Sequence, residues 1–320
     1  MEFLQYTVRK LVGGIPLIIG VTLISFVLMV YFGPDKTYEL LSKNPTAAEI
    51  EQVRTQLGYD QPFWVRYGEY LKELATLEFG YSDSTGERVS SILGRTVPVS
   101  LLLLAPGFVL GNLLGIVLGL VAAWHRGGWI DKTIMSFAVV GMSISFLVVI
   151  IAFQILFGVV LGWFPVRGWN VYGPASYLHY VTVPTLASVF VTLGYNTRFF
   201  RAVLVEEMGR DHVRTARAFG AGAVEILWKN VLMNAMIPIV TRVMFSIPLV
   251  VISGSLLIES YFGIPGVGKV PYDAITSGDQ PILKAVVGLT AVLFVLILIV
   301  NDILYKVFDP RVSLGRVSLK

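Results

Sequence analysis

The sequence predicts an all-α integral membrane protein with six transmembrane helices, and three observations predict it. Only 14% of the 320 residues are charged while 55% are hydrophobic, whereas a soluble domain carries about 25% charged residues. Six stretches reach the roughly 20 apolar residues that a helix needs to cross the hydrocarbon core. Lys and Arg gather on alternate connecting segments, as membrane orientation requires. The mean hydropathy of +0.73 agrees. Cysteine is absent, which excludes disulfides and thiolate metal sites. A pI of 9.2 can point to nucleic acid, but here the basic residues flank apolar segments and topology accounts for them.

The six stretches are Leu11–Phe32, Val99–Ala123, Ile134–Val160, Tyr180–Phe200, Ile237–Ser260 and Ile282–Tyr305. The fourth is interrupted by Pro184, Thr185, Thr192 and Asn196. The first is long for a signal-peptide core and lacks a small-x-small cleavage pattern near Gly33, so it is expected to be a retained anchor. Fifteen Lys and Arg residues fall on one side: at Arg9 and Lys10, at Arg126 and Lys132, in or beside the loop from Arg198 to Arg242, and after the sixth span. The opposite short loops carry three: Arg167, Lys269 and Lys284. Both termini are therefore expected inside. The chain divides into residues 1–33 with the first span, an outer segment 34–98, a core 99–306 of five spans with a cytoplasmic loop 201–236, and a cytoplasmic tail 307–320.

The outer segment carries helix signals. Thr46-Ala-Ala-Glu49 is a capping-box pattern and Gly58 is placed to close the helix that it opens. Pro62 suits the start of a second helix, along which Phe63, Trp64, Tyr67, Tyr70, Leu71, Leu74 and Leu77 recur at helical spacing. Gly80 is the expected stop, and Ser84-Thr-Gly-Glu87 resembles another cap. Short amphipathic helices at the outer membrane face follow, forming either a packed cap over the bundle or a docking surface.

The loop Arg201–Met236 is the most informative segment. Val205–Phe219 has a charged amphipathic pattern, Gly220-Ala-Gly222 breaks it, and the apolar Val224–Met236 returns to span five. Glycine permits the reversal because it tolerates positive φ. The pattern describes a rigid knob able to transmit force from a soluble partner into two spans.

Arg214-Thr-Ala-Arg-Ala-Phe-Gly220, followed by Trp228-Lys-Asn-Val-Leu-Met-Asn-Ala-Met-Ile-Pro238, resembles the EAA loop of binding-protein-dependent ABC importer permeases. Against the Glu-Ala-Ala-x-x-x-Gly pattern, this chain has Arg214-Thr215-Ala216, so the last alanine and the glycine match strictly. Asp211-His-Val-Arg-Thr-Ala-Arg-Ala-Phe-Gly220 is closer to the form of the peptide and nickel branch, Asp-Tyr-Val-Arg-Thr-Ala-Arg-Ala-x-Gly, and differs at His212. The resemblance extends through Tyr6–Lys10, Leu57–Trp64, Glu259-Ser-Tyr-Phe-Gly-Ile-Pro-Gly-Val-Gly268, Asn301–Tyr305 and Asp309–Arg311. Gly141-Met-Ser-Ile-Ser-Phe146 departs from it, since similar permeases commonly carry a proline and a Phe-Trp pair there.

The resemblance implies a type I ABC importer permease fold, N-in and C-in, in a bacterial inner membrane. It implies a second homologous permease subunit, two cytosolic ATPase subunits and an extracytoplasmic solute-binding protein as partners. Arg210, Asp211, Arg214, Thr215, Ala216, Arg217 and Gly220 would couple the chain to the ATPases. Peptides are the expected cargo, with nickel chelates, opine-like compounds and glutathione as alternatives. No catalytic group, cofactor or metal is expected of this chain.

Several signals have plainer readings. Gly263-Ile-Pro-Gly-Val-Gly-Lys269-Val270 nearly spells a phosphate-binding loop, but Val270 replaces the Ser or Thr that ligates magnesium. It is expected to be a turn or re-entrant element near the outer mouth. Gly111, Gly115 and Gly119 suit close helix packing, within the subunit or against a second permease. Asp302 and Lys306 suit an i, i+4 pair, while Glu259 and Arg242 can reach opposite interfaces. His125, His179 and His212 lack ligand spacing. An ion-coupled carrier would need buried carboxylates or inverted repeats of broken helices, and the charged knob favours ATP coupling instead.

Single cysteines in this cysteine-free chain test the orientation. Ser84→Cys is expected to react with a membrane-impermeant thiol reagent added outside, and Lys229→Cys only with reagent admitted to the cytoplasmic side. Labelling of Ser84→Cys from the cytoplasm alone would reverse the topology.

Overall fold

The computed structural model describes residues 2–33, 46–56, 58–251 and 255–308. These are almost all helical or in short connections; the β pairing among them is one bridge, Tyr81 to Arg88. The helices are α1 (Glu2–Phe32), α2 (Ala47–Gln56), α3 (Phe63–Thr76), α4 (Val89–Trp124), α5 (Trp129–Ser143), α6 (Phe146–Val160), α7 (Pro174–Met208), α8 (Asp211–Ala218), α9 (Ala223–Leu249), α10 (Ser255–Phe262), α11 (Lys269–Thr276) and α12 (Gln280–Phe308). Among the described residues, α1, α4, α7, α9 and α12 are each long and apolar enough to cross a membrane, and α5 with α6 qualifies as a pair. The family-like ending at Asp309–Arg311, most of the tail and the side chain of Lys306 lie outside the described residues.

Contacts divide the chain into residues 1–97 with 269–296 and residues 98–268 with 297–320. In the first unit, the capping box forms as expected: the Thr46 N–H donates to Glu49 Oε2 at 2.8 Å, and the Glu49 N–H to Thr46 Oγ1 at 3.4 Å. Gly58 follows α2 with φ +66°. Helix α3 buries Tyr67, Tyr70 and Leu74. The Tyr67 hydroxyl donates to the Ile19 carbonyl at 2.9 Å, and that of Tyr70 to the Lys284 carbonyl at 2.9 Å. Lys284 also meets Glu73 at 2.6 Å. So α3 packs against the first and last spans. Trp64 and Leu77 stay exposed, although they lie on the same sequence period.

Two expectations for this segment fail. Helix α3 ends at Thr76, with Leu77 in the left-handed region (φ 58°), three residues before Gly80. The packing of α3 against two spans fixes its length, and a leucine is held where glycine would be easier. Nor is Ser84–Glu87 a helix cap. The hydroxyls of Ser82 and Ser84 and the Ser84 N–H converge on Asp279, at 2.5, 2.7 and 3.1 Å, just before α12. Burial pushes the Asp279 carboxyl up, but these bonds and one from the Ile282 N–H outweigh it and hold the group below its ordinary value.

In the second unit, two polar interruptions of span four, Thr192 and Asn196, find their reason. Gly107, Gly111, Gly115 and Gly119 of α4 face Ser188, Thr192, Asn196 and Phe200 of α7. A methyl on Gly107 or Gly115 would stand 2.8 Å from the Cβ of Ser188 or Asn196. The glycine face therefore packs within this subunit. Asn196 also donates to Asn112 at 2.9 Å, while Ser188 and Thr192 return their hydroxyl hydrogens to carbonyls of their own helix. Polar groups can be carried inside a membrane bundle when they are satisfied in this way. The span accordingly runs unbroken through Pro184 as α7.

The matched order of these contacts makes α4 and α7 parallel, so the chain between them must make one net crossing. That crossing is not the single helix expected over Ile134–Val160. Helices α5 and α6 meet at 95° across Ile144 and Ser145, whose ψ values are 131° and 135°. The break falls in the Gly141–Phe146 segment that departs from the family pattern, without a proline. Span five also differs, because its helix begins at Ala223, through a π-helical stretch Ile226–Leu232; residues 252–254, between it and α10, lie outside the described residues.

Gly115→Ala is expected to lower the stability of the detergent-solubilised protein by about 1–3 kcal/mol through overpacking. Gly13→Ala, at a helical glycine with nothing within 4 Å of the new methyl, is expected to be neutral. Equal melting temperatures for the two variants would dissolve the α4–α7 contact.

Candidate functional site

The loop 201–236 is built as a braced knob. The expected helix Val205–Phe219 is divided: Val205–Met208 ends α7, Gly209 and Arg210 turn the chain, and α8 begins at Asp211. At the far end of α8 the Gly220 N–H bonds to the Arg217 carbonyl at 3.1 Å and the Ala221 N–H to Ala216 at 3.1 Å. This is a Schellman ending, and it places Gly220 at φ +81°. Gly222 then opens α9, which runs on as span five.

The residues singled out from sequence sort onto two sides of α8. Asp211, Arg214, Thr215 and Arg217 are exposed, whereas Ala216 is half-buried. Asp211 and Arg214 form an exposed ion pair at 3.6 Å, and the Thr215 hydroxyl donates to the Asp211 carbonyl at 2.9 Å. Arg210 instead turns back to Glu207, at 3.0 Å. Sequence reasoning missed what anchors the knob. Val213 is buried with Phe200, Leu204, Ile226 and Val231 in one apolar cluster. His212 Nε2 lies 2.9 Å from the Asn230 carbonyl and 3.3 Å from Glu207 Oε1. Asn234 Nδ2 lies 3.5 Å from the same nitrogen. One imidazole thereby lies between the end of α7, α8 and the rising arm. Phe219, Val224 and Trp228 remain exposed around the turn, with Phe219 at 87%. Apolar residues flanking a glycine break were the signal available for them.

A second missed feature sits at the foot of span four. Arg201 grips Asp131 of α5 with two bonds, at 2.5 and 2.6 Å, and the Gly127 N–H adds a third to the same carboxylate at 2.8 Å. Asp131 is buried. The pair ties the helix that enters the knob to the first half of the bent span.

Glu259 does not reach an interface as expected. It is 1% exposed and accepts hydrogen bonds from Ser100 of α4 and from the Gly268 N–H, the latter at 2.8 Å. The Val267 N–H donates to Ser100 Oγ at 2.7 Å. A methyl on Gly266 or Gly268 would collide with Glu259 or Ser255. The glycines of the near-P-loop are there to let the backbone close over this carboxylate, and two of its N–H groups are already engaged. Lys269 pairs loosely with Asp273 at 3.9 Å.

At the α5–α6 bend lies a cavity of about 450 Å3. Leu104 and Phe108 form an apolar side, and Ser143, Ser145, Ser188, Thr192 and Tyr195 supply hydroxyls. Among the described residues no charged side chain lines it, and no three His, Cys, Asp or Glu side chains cluster to hold a metal.

Comparison with known proteins places this geometry. Residues 115–314 match the family model of the binding-protein-dependent transport system inner membrane component, and residues 3–103 match the N-terminal model of the same systems. A protein of Brucella abortus (strain 2308), provisionally named a peptide transport system permease, is 32% identical over 95% of this chain and 97% of its own. The glutathione transport system permease protein GsiC of Escherichia coli (strain K12) is 31% identical over 97% of this chain and 99% of its own. The dipeptide transport system permease protein DppB of Alkalihalophilus pseudofirmus is 27% identical over 97% of this chain and 99% of its own. In solved structures, the inward-facing MetNI methionine ABC transporter shares the fold, with a TM-score of 0.53 and 20% identity over 68% of this chain and 96% of that one.

A double-mutant cycle tests the Asp131–Arg201 tie. Asp131→Asn and Arg201→Gln are each expected to destabilise, and the double variant by less than their sum, with a coupling of about 1–3 kcal/mol. Strict additivity in thermal unfolding would show that the two do not interact.

Proposed function

The chain belongs to the family of binding-protein-dependent transport system inner membrane components, and from that premise we propose that it imports peptides as a non-catalytic permease subunit. The family places it in the bacterial inner membrane as part of an ABC transporter. Peptide cargo is supported by the names of full-length relatives, which cover di- and tripeptide solutes. A second homologous permease, two cytosolic ATPase subunits and an extracytoplasmic binding protein complete the assembly. ATP is hydrolysed by the ATPase subunits and solute is delivered by the binding protein.

The single observation that carries the coupling assignment is the braced knob. A lever must be stiff along its length and exposed at its tip. Val213 and His212 fix α8 to both arms of the loop, while Arg214, Arg217 and Phe219 stay outside. In the proposal, Arg210, Asp211, Arg214, Thr215, Ala216, Arg217 and Gly220 form the coupling element of loop 201–236. ATPase closure displaces this element as a rigid body and biases the spans between inward-open and outward-open states. The segments 1–33 and 34–98 then precede a permease core, 99–306, and a tail, 307–320. Buried Glu259 is occupied in holding a loop, so it offers no support to an ion-coupled carrier.

Gly220→Val places a β-branched residue at φ +81°, at a local cost of about 1–3 kcal/mol. It is expected to insert normally, yet to lose peptide uptake through weakened ATPase co-purification or uncoupled hydrolysis. Arg214 charge reversal is expected to act more mildly, because exposed ion pairs contribute under about 1 kcal/mol. Lys269→Ala is expected to leave ATP binding by the assembled complex unchanged. Full uptake by Gly220→Val would remove the loop from the mechanism.

A further inference from the structure

We propose that the cavity at the α5–α6 bend is a solute subsite of the translocation route, recognising peptide N–H groups through neutral hydroxyl acceptors. This rests on the importer reading above and adds to it the place and the chemistry of recognition.

The bend itself limits what can face the cavity. Irregular backbone at membrane depth is excluded from lipid, because its unpaired N–H and C=O groups would have no partner there. It occurs where it is covered by protein or lines a water-filled path, and broken helices near the midplane are a recurrent way to build solute sites. The bend at Ile144 and Ser145 divides the crossing after fifteen residues of α5, which is about 22 Å at 1.5 Å per residue. Ser143 and Ser145 are exposed at this depth.

The polarity of the lining selects the ligand class. Ser143 donates its hydroxyl hydrogen to the Val139 carbonyl at 2.7 Å, Ser188 to Pro184 at 2.8 Å, and Thr192 to Ser188 at 2.6 Å. Tyr195 donates to Met142 at 3.3 Å. A hydroxyl has one hydrogen and two lone pairs. With the hydrogens directed into helix carbonyls, these side chains present lone pairs to an occupant. The complementary groups are amide N–H and ammonium donors, which every peptide carries whatever its side chains. No charged side chain among the described residues repels or captures one class of cargo, so passage is expected to be indifferent to peptide charge. Leu104 and Phe108 on the apolar side accommodate varied side chains without directional demands.

Ser145 allows the test, because it is exposed and precedes α6, a position where Asp is well tolerated. Ser145→Asp and Ser145→Lys are assayed in the intact importer by competing uptake of alanyl-lysine and alanyl-glutamate, each normalised to its affinity for the binding protein. The wild type is expected to take up both at similar rates. The Asp variant is expected to shift the ratio toward the basic peptide and the Lys variant toward the acidic one, each by about fivefold or more. In parallel, Ser145→Cys is expected to react with a charged, membrane-impermeant thiol reagent in the assembled complex. Equal loss of both peptides with an unchanged ratio, or no reaction of the cysteine because lipid or the second permease covers it, would overturn the subsite. The importer reading is checked separately by disabling ATP hydrolysis in the partner ATPases. Wild-type uptake that continued then would sink that reading without reference to Ser145.

Discussion

The close approach of spans two and four is the contact on which the second unit depends. In a membrane, apolar side chains gain little by leaving lipid for protein, so helices associate through tight packing and satisfied polar groups. Four glycines on α4 supply the first and the facing Ser188, Thr192 and Asn196 supply the second. Because both series advance by four residues, the contact also fixes register and direction. That direction obliges the intervening chain to cross back, although its helix is broken.

Span four is gripped on its other side as well. A methyl on Gly194 would stand 2.6 Å from the Ala138 carbonyl of α5. Lower down, Arg201 holds Asp131 of the same helix. Helix α7 is therefore fixed to α4 by shape and to α5 by shape and charge, and its cytoplasmic end continues to the turn that opens the knob. The bend that lines the cavity and the exposed tip of the knob are joined through one helix. From the turn that opens the knob to the bend, the contacts run along α7 without leaving it.

Much of this was legible in sequence, where the signal was local. Apolar length located the spans, and Thr46 with Glu49 gave a capping box that forms as written. Gly220 marked a left-handed helix ending. What escaped was set by distant residues. The bend at Ile144 lies in an apolar run with no proline to announce it. Leu77 takes a conformation that sequence would assign to glycine. Asp131 and Arg201 are seventy residues apart, and Arg201 looked like one more cytoplasmic cation. Glu259 was placed at an interface because its burial depends on Ser100, 159 residues away. In span four, Thr192 and Asn196 looked like a weakness in a hydrophobic segment, yet they are the groups that face α4.

The loop over Glu259 bears on how glycine-rich motifs are interpreted. In nucleotide-binding proteins a similar run of glycines bares its amides for an anion that arrives from solution. Here the anion is part of the chain. The carboxylate is tethered at fixed range, so its effective concentration does not fall when the surroundings are diluted. No dissolved phosphate competes on equal terms for amides that face a permanent internal counterpart. What keeps this nest filled is the fold itself: Glu259 accepts directly from the Gly268 N–H, and Ser100 of α4 links the Val267 N–H to the same carboxylate. The same arrangement of backbone that elsewhere awaits a nucleotide is, in this protein, closed by a residue of its own chain.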